Sequence, residues 1–128
     1  MLVKSLILAF LLGWTFLISP GRAAPGAGAI TPVPYALPGQ VRGNHLHPGH
    51  EEWLYPFHGA GVLLWEATPG KIQERVLTGN RCLVHLPPGV AHALKNPGPE
   101  ILYLLAWREA VRPVGQEPET VPRALSAG

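Results

Sequence analysis

The chain has 128 residues, the size of one domain, and with 47% hydrophobic and 14% charged residues it is too apolar for a disordered polymer. Its 15 glycines and 15 prolines follow no three-residue period, which excludes collagen, and their density between short apolar runs argues against a helical bundle. A formal charge of +2, no aspartate and no basic run or stripe exclude an extended nucleic-acid surface.

The chain opens on Lys4, an apolar run from Leu6 to Ile18, and small and turn-forming residues from Ser19 to Ala29. This is the layout of a secretory leader: a basic start, an apolar middle, a small-residue exit. As a helix the run reaches roughly 20 Å, short of the about 30 Å of a bilayer core, so no stable membrane span is expected in the mature chain. Residues 1–23 read as a signal peptide cut after Ala23, with Ala27 or Ala29 as later sites. Export to the periplasm or outside follows. The alternatives are a cytoplasmic protein whose start is misassigned, or an uncleaved anchor. Cleavage after Ala23 removes Lys4 and Arg22 and leaves eight basic and eight acidic residues.

Residues 30–112 read as one all-β domain. Three prolines from Pro32 to Pro38 mark an extended entry. Short strands then alternate with turn signals: 41–47 before Pro48-Gly49, 52–58 before Gly59, 61–67 before Pro69-Gly70, and 72–77 before Gly79-Asn80. Three more follow: 81–86 before Pro87-Pro88-Gly89, 91–95 before Asn96-Pro97-Gly98, and 101–108. Short strands at roughly 8–12-residue spacing signal a sandwich or barrel. Cys82, the single cysteine, excludes an intrachain disulfide and reads as a small core residue. Residues 113–128, rich in Pro, Glu and Ala, read as a flexible tail.

All six histidines fall between residues 45 and 92. His45 and His47, two apart on a strand, share a face. Glu52 opens the next strand, and His92 a later one. Three imidazoles and a carboxylate suit one divalent transition metal, and the same set binds Fe, Mn, Ni, Cu or Zn. Glu51, the neighbour of Glu52, has the opposite parity and is the alternative donor. His50 sits in the turn between these strands, as a candidate supporting or substrate group; His58 and His85 carry no assigned role. With Glu52 inward, Trp53, Tyr55 and Phe57 face out of the barrel, into a sheet–sheet or dimer contact; as an exposed apolar patch the row predicts a homodimer.

The spacing has a family likeness. Gly39, five residues, His45, one, His47, four, Glu52, six, Gly59 resembles the first signature motif of the cupin superfamily. Pro87, one residue, Gly89, two, His92, three, Asn96 resembles the second from its Pro onward; Arg81 stands where that motif opens on Gly. The resemblance covers about residues 32–109. It implies a double-stranded β-helix, a jelly-roll barrel with metal ligands at His45, His47, Glu52 and His92. Gly59 and Gly89 are expected at positive φ in tight turns. The stretch Arg42-Gly43-Asn44-His45 resembles small cupins that act on sugars in polysaccharide synthesis, some of which need no metal. On an unbroken strand, however, Arg42 has the opposite parity to His45 and turns away from the metal.

Two functional classes follow: a metal-dependent enzyme on a small molecule (a dioxygenase, isomerase or decarboxylase), or a non-catalytic barrel holding a metal or a small sugar-like ligand. No inward Lys, Asp or Tyr is evident as a general acid or base, so no catalytic side chain is assigned, and fold alone does not choose.

Overall fold

The computed structural model describes residues 16–17, 29–30, 34–78, 82–113, 115 and 118–126. Among these residues every regular element is a strand. Two sheets face each other. One contains β1 (Phe16–Leu17), β2 (Ala29–Ile30), β3 (Tyr35–Ala36), β5 (His50–His58), β8 (Val84–Leu86) and β10 (Leu102–Ala110). Its order is β1-β8-β5-β10-β2, with β3 also on β10. The other contains β4 (Val41–Leu46), β6 (Ala60–Thr68), β7 (Lys71–Thr78), β9 (Ala91–Lys95) and β11 (Val121–Pro122), in the order β11-β4-β9-β6-β7. From β3 to β6 and again from β7 to β11 successive strands alternate between the sheets, as in a jelly roll, while β6 and β7 form a hairpin within one sheet.

Period-2 alternation builds the interior. On β5, Glu52, Leu54 and Pro56 lie opposite Arg108, Ala106 and Leu104 of β10, and Glu52 and Leu54 lie opposite Leu86 and Val84 of β8. On β9, His92 and Leu94 lie opposite Trp65 and Leu63 of β6. Leu54, Leu63, Trp65, Leu77, Val84, Leu86, Leu94, Leu102 and Leu104 form the apolar core between the sheets, and Cys82 is buried in it. Leu54, Leu94 and Leu104 of this core line the same cavity as His45 and His92.

Turn chemistry closes the strands where expected. Gly59 (φ 80°) and Gly89 (φ 79°) are left-handed. At Gly59 a Cβ would also meet the Ile101 carbonyl, so no other residue fits. Asn96, at the end of β9, is buried; its amide donates to the carbonyls of Ala36 and Glu100 and accepts from Gly98 N–H. It ties the Pro97–Glu100 turn to β3. The turn around Gly79–Arg81, where the second motif departs, lies outside the described residues.

Two expectations are corrected. Trp53 is not part of an exposed aromatic row: it is 1% exposed and stacked on His85, its cross-strand partner, with ring centroids 4.3 Å apart. Tyr55 is half-buried and Phe57 alone of the three is exposed. Among the described residues Trp53 is withdrawn from the row that argued for a homodimer, which leaves Tyr55 and Phe57. Nor do residues 118–126 hang free as a tail. They run along β4, pairing Val121 with Leu46 and Pro122 with His45. Their low apolar content hid this, because polar groups do the docking. Of the leader read over residues 1–23, all but Phe16–Leu17 lies outside the described residues; that pair runs parallel to Val84–His85.

Candidate metal centre

Strands β4 and β9 pair so that His45 lies opposite His92, and His47 follows two residues on. The three imidazoles converge: one ligand nitrogen from each lies within 4.8 Å of the others. Their ring centroids are 4.7–5.6 Å apart. His47 and His92 are buried and His45 is half-buried at the mouth.

Backbone carbonyls set the tautomers. His92 Nδ1–H donates to Val90 O at 3.1 Å, and His47 Nδ1–H donates to Glu119 O at 3.0 Å, with Thr120 Oγ1 at 3.2 Å. Each ring therefore turns a lone pair on Nε2 inward. Neither Nε2 has a hydrogen-bond donor, although both are buried. What they meet is a carboxylate: Glu52 Oε2 lies 3.2 Å from His47 Nε2, and Oε1 lies 3.4 Å from His92 Nε2. With both rings neutral these are acceptors facing acceptors, an arrangement that a bound cation or a proton on the rings relieves. The histidine donors, their outer carbonyl partners and the adjacent carboxylate fit a divalent transition metal.

The electrostatics favour metal-ready protonation states. His45 is lowered from 6.5 to about 4, by burial first and then by His92 and His47; Glu52 opposes and Arg108 adds to the effect. Burial alone would raise the Glu52 carboxyl, but hydrogen bonding and charge from His47 and His92 in their protonated, metal-free form outweigh it and hold it well below the usual carboxylate range. At neutral pH His45 is a free base and Glu52 an anion.

Of the four ligand residues expected, the three histidines come together and Glu52 reaches two of them. Its Oε2 also accepts from Arg108 Nε at 2.8 Å. Arg108 was missed by sequence reasoning, since it lies in no motif. It stands opposite Glu52 in the β5–β10 register, a neighbour only tertiary pairing supplies. Glu51 points to the other side of the sheet and lies 2.9 Å from His85, both buried. His50 begins β5 outside the triad, and His58 is exposed, 3.3 Å from Glu100.

A cavity of about 140 Å³ opens beside the histidines. Its walls include His45, His92, Glu52, Arg42, Arg108 and Tyr35, over a floor of Leu54, Leu94 and Leu104. Two residues here correct the expectations. Tyr35, hidden in the proline-rich entry, supplies a phenol. Arg42 does not turn away, because a β-bulge follows it. Gly43 (φ 92°) and Asn44 (φ 57°) insert an extra residue between the Arg42↔Leu94 and His45↔His92 pairs. The bulge resets parity and puts Arg42 on the face of His45. Gly43 is required twice over, by its φ and because a Cβ would lie 2.9 Å from the His92 carbonyl oxygen.

No protein-family model matches the chain, and no curated protein sequence is similar to it. Solved structures are. The capsular polysaccharide assembling protein CapF from Staphylococcus aureus superimposes over 80% of this chain with a TM-score of 0.67 and 25% identity; the match spans 30% of CapF. A putative sugar phosphate isomerase from Acidithiobacillus ferrooxidans matches 58% of the chain and 45% of its own length, with 28% identity and a TM-score of 0.50. An oxalate oxidase matches 59% of the chain and 39% of its own length at 20% identity, with a TM-score of 0.55, a likeness of fold. The chain thus spans less than half the length of each.

Proposed function

From the premise that this chain is a cupin barrel in fold and resembles CapF, we propose that it binds one divalent transition metal through His45, His47 and His92, with Glu52 as fourth donor, and acts on a small anionic molecule in the adjoining cavity. The observation that carries the reading is the convergence of three histidine nitrogens to within 4.8 Å of one another, beside the buried Glu52 carboxylate. The metal, when bound, supplies Lewis-acid polarisation of a substrate oxygen.

The side chains do the rest. Arg42 and Arg108 place two guanidiniums on the cavity wall, fit to hold a carboxylate or phosphate. The leucine floor excludes water beneath the reacting atoms. Among the described residues Tyr35 is the one tyrosine on the wall. Glu52 stays ionised and held by Arg108, so it supplies charge and not a mobile proton. That last point also supports a second reading, a non-catalytic metal and ligand binder, because no unengaged carboxylate lines the cavity. The leader over residues 1–23, read from its three-part layout, belongs to this proposal as an export signal; an exported product that begins at Ala24 by mass spectrometry supports it.

Elemental analysis of purified protein should find about one transition ion per chain, lost from the His47→Ala, His92→Ala double variant; retention of metal by that variant overturns the site. Arg108→Gln separates the two parts of the proposal. It removes a positive charge beside the metal and frees Glu52, so metal affinity should rise. It also removes an anion contact, so competition by inorganic phosphate or a small dicarboxylate should weaken about tenfold. Weaker metal binding in this variant would contradict the assignment of Glu52. Turnover of small acids or sugar phosphates by the metal-loaded protein decides for an enzyme; tight ligand binding without turnover decides for the binder.

A further inference from the structure

The C-terminal segment 118–126 contacts three parts of the metal centre. The Glu119 carbonyl accepts from His47 Nδ1–H at 3.0 Å and so sets the tautomer of that ligand. The Glu119 carboxylate accepts from Arg108 Nη1 at 2.8 Å, the same guanidinium that grips Glu52. Val121 and Pro122 extend the sheet beside Leu46 and His45. One residue thereby links a histidine ligand to the guanidinium that competes for the Glu52 carboxylate, and draws that guanidinium toward itself.

The segment is held by polar contacts. Asn44, turned outward by the bulge, is its anchor: its Oδ1 accepts from the N–H groups of Leu125 and Ser126 at 2.9 and 3.1 Å, and its Nδ2 donates to Ser126 O at 2.9 Å. Arg123 N–H donates to the Asn44 carbonyl at 2.7 Å, and the Arg123 guanidinium pairs with Glu66. No residue of the segment belongs to the apolar core. A strap attached by exposed or half-buried hydrogen bonds opens at far lower cost than the barrel unfolds.

We propose that residues 118–126 are a strap whose docking is coupled to metal binding, with Glu119 as the positioning residue and Asn44 as the latch. This rests on the reading of His45, His47 and His92 as ligands. With the strap docked, His47 is locked with Nε2 inward; with it open, that ring loses its outer partner and Arg108 loses one of its two carboxylates. Metal therefore favours the docked strap, and by reciprocity the docked strap favours metal by the same factor.

The strap carries its own reporter, a tryptic site at Arg123–Ala124. In the full chain, Zn²⁺ or Mn²⁺ should slow release of residues 124–128 by trypsin several-fold, and a chelator should restore the rate. Asn44→Gly keeps the positive φ but deletes the three side-chain bonds. It should speed this cleavage and weaken metal affinity about tenfold, the low end for loss of outer support to a ligand. Leu77→Val, a core change remote from the strap, should lower the melting temperature and leave metal affinity unaltered. Tight metal binding with an unchanged cleavage rate, or a Leu77→Val loss of affinity equal to that of Asn44→Gly, overturns the coupling and leaves the metal centre standing. Absence of metal binding by the wild-type chain overturns both.

Discussion

Glu51 and Glu52 are adjacent and chemically identical, yet β5 sends them to opposite faces, one to His85 and the other to the triad. Their substitutions should separate cleanly. Glu52→Gln removes an anion next to the ligands and should weaken metal affinity about tenfold by calorimetry. Glu51→Gln should leave metal affinity intact and lower stability by about 1–3 kcal/mol, because it disturbs a buried charged hydrogen bond. The second half revises what the sequence suggests: opposite parity alone predicts a tolerant, solvent-facing Glu51, whereas the residue is 2% exposed. Metal loss in Glu51→Gln and not in Glu52→Gln would shift the β5 register by one and reverse every facing on that strand.

At the scale of elements, the bulge in β4 decides which side chains share the site. Without an extra residue between Arg42 and His45, one of them would leave the cavity wall. Gly43→Ala forces a side chain into a left-handed conformation against the His92 carbonyl. A cost of about 1–3 kcal/mol is expected, read as a lower denaturant midpoint, together with weaker metal binding because His45 and His92 move apart. Normal metal affinity in a destabilised Gly43→Ala protein would separate the bulge from the site. The strand boundaries at turns were legible from Gly and Pro: β4, β5, β6 and β9 begin and end within two residues of their expected limits. The bulge was not. Arg42-Gly43-Asn44-His45 carries its ingredients, a Gly and an Asn that tolerate positive φ, but period-2 reasoning assumes an unbroken strand. The docked strap was missed for a related reason, since hydrophobic patterning does not register a segment bound by backbone carbonyls and one asparagine.

For the whole molecule, the proposed centre predicts a stability that depends on pH and on metal. In metal-free protein the folded His45 titrates near 4, against 6.5 when unfolded. Between those values the unfolded chain binds the extra proton, so stability is level above about pH 7 and falls as the pH drops from 6.5 toward 4. Glu52 adds to the fall below its ordinary 4.5, as the carboxylate favoured by the fold is protonated. Thermal melts from pH 8 to pH 4 should trace that decline, and His45→Gln should flatten the segment between pH 6.5 and 5. Saturating metal at a hundred times its dissociation constant adds about 2.7 kcal/mol, a rise of roughly 10 °C or more in a barrel this size. Melting temperatures insensitive to both metal and chelator would deny the native state a bound ion.

The sequence by itself determined the all-β class, the order of strands, the turn glycines and which three histidines the motifs mark. Each is written in local terms: alternation, turn formers, and fixed spacings such as His45, His47 and Glu52. What surrounds those ligands was decided by tertiary structure. Arg108 meets Glu52 because β10 pairs with β5 in one register. Glu119 reaches His47 because the chain returns 72 residues later to lie along β4. Trp53 is buried, stacked on His85 of the neighbouring strand, which parity cannot reveal. A strand's period states which side chains share a face; it does not state what that face will meet, because that depends on pairings between segments distant in sequence.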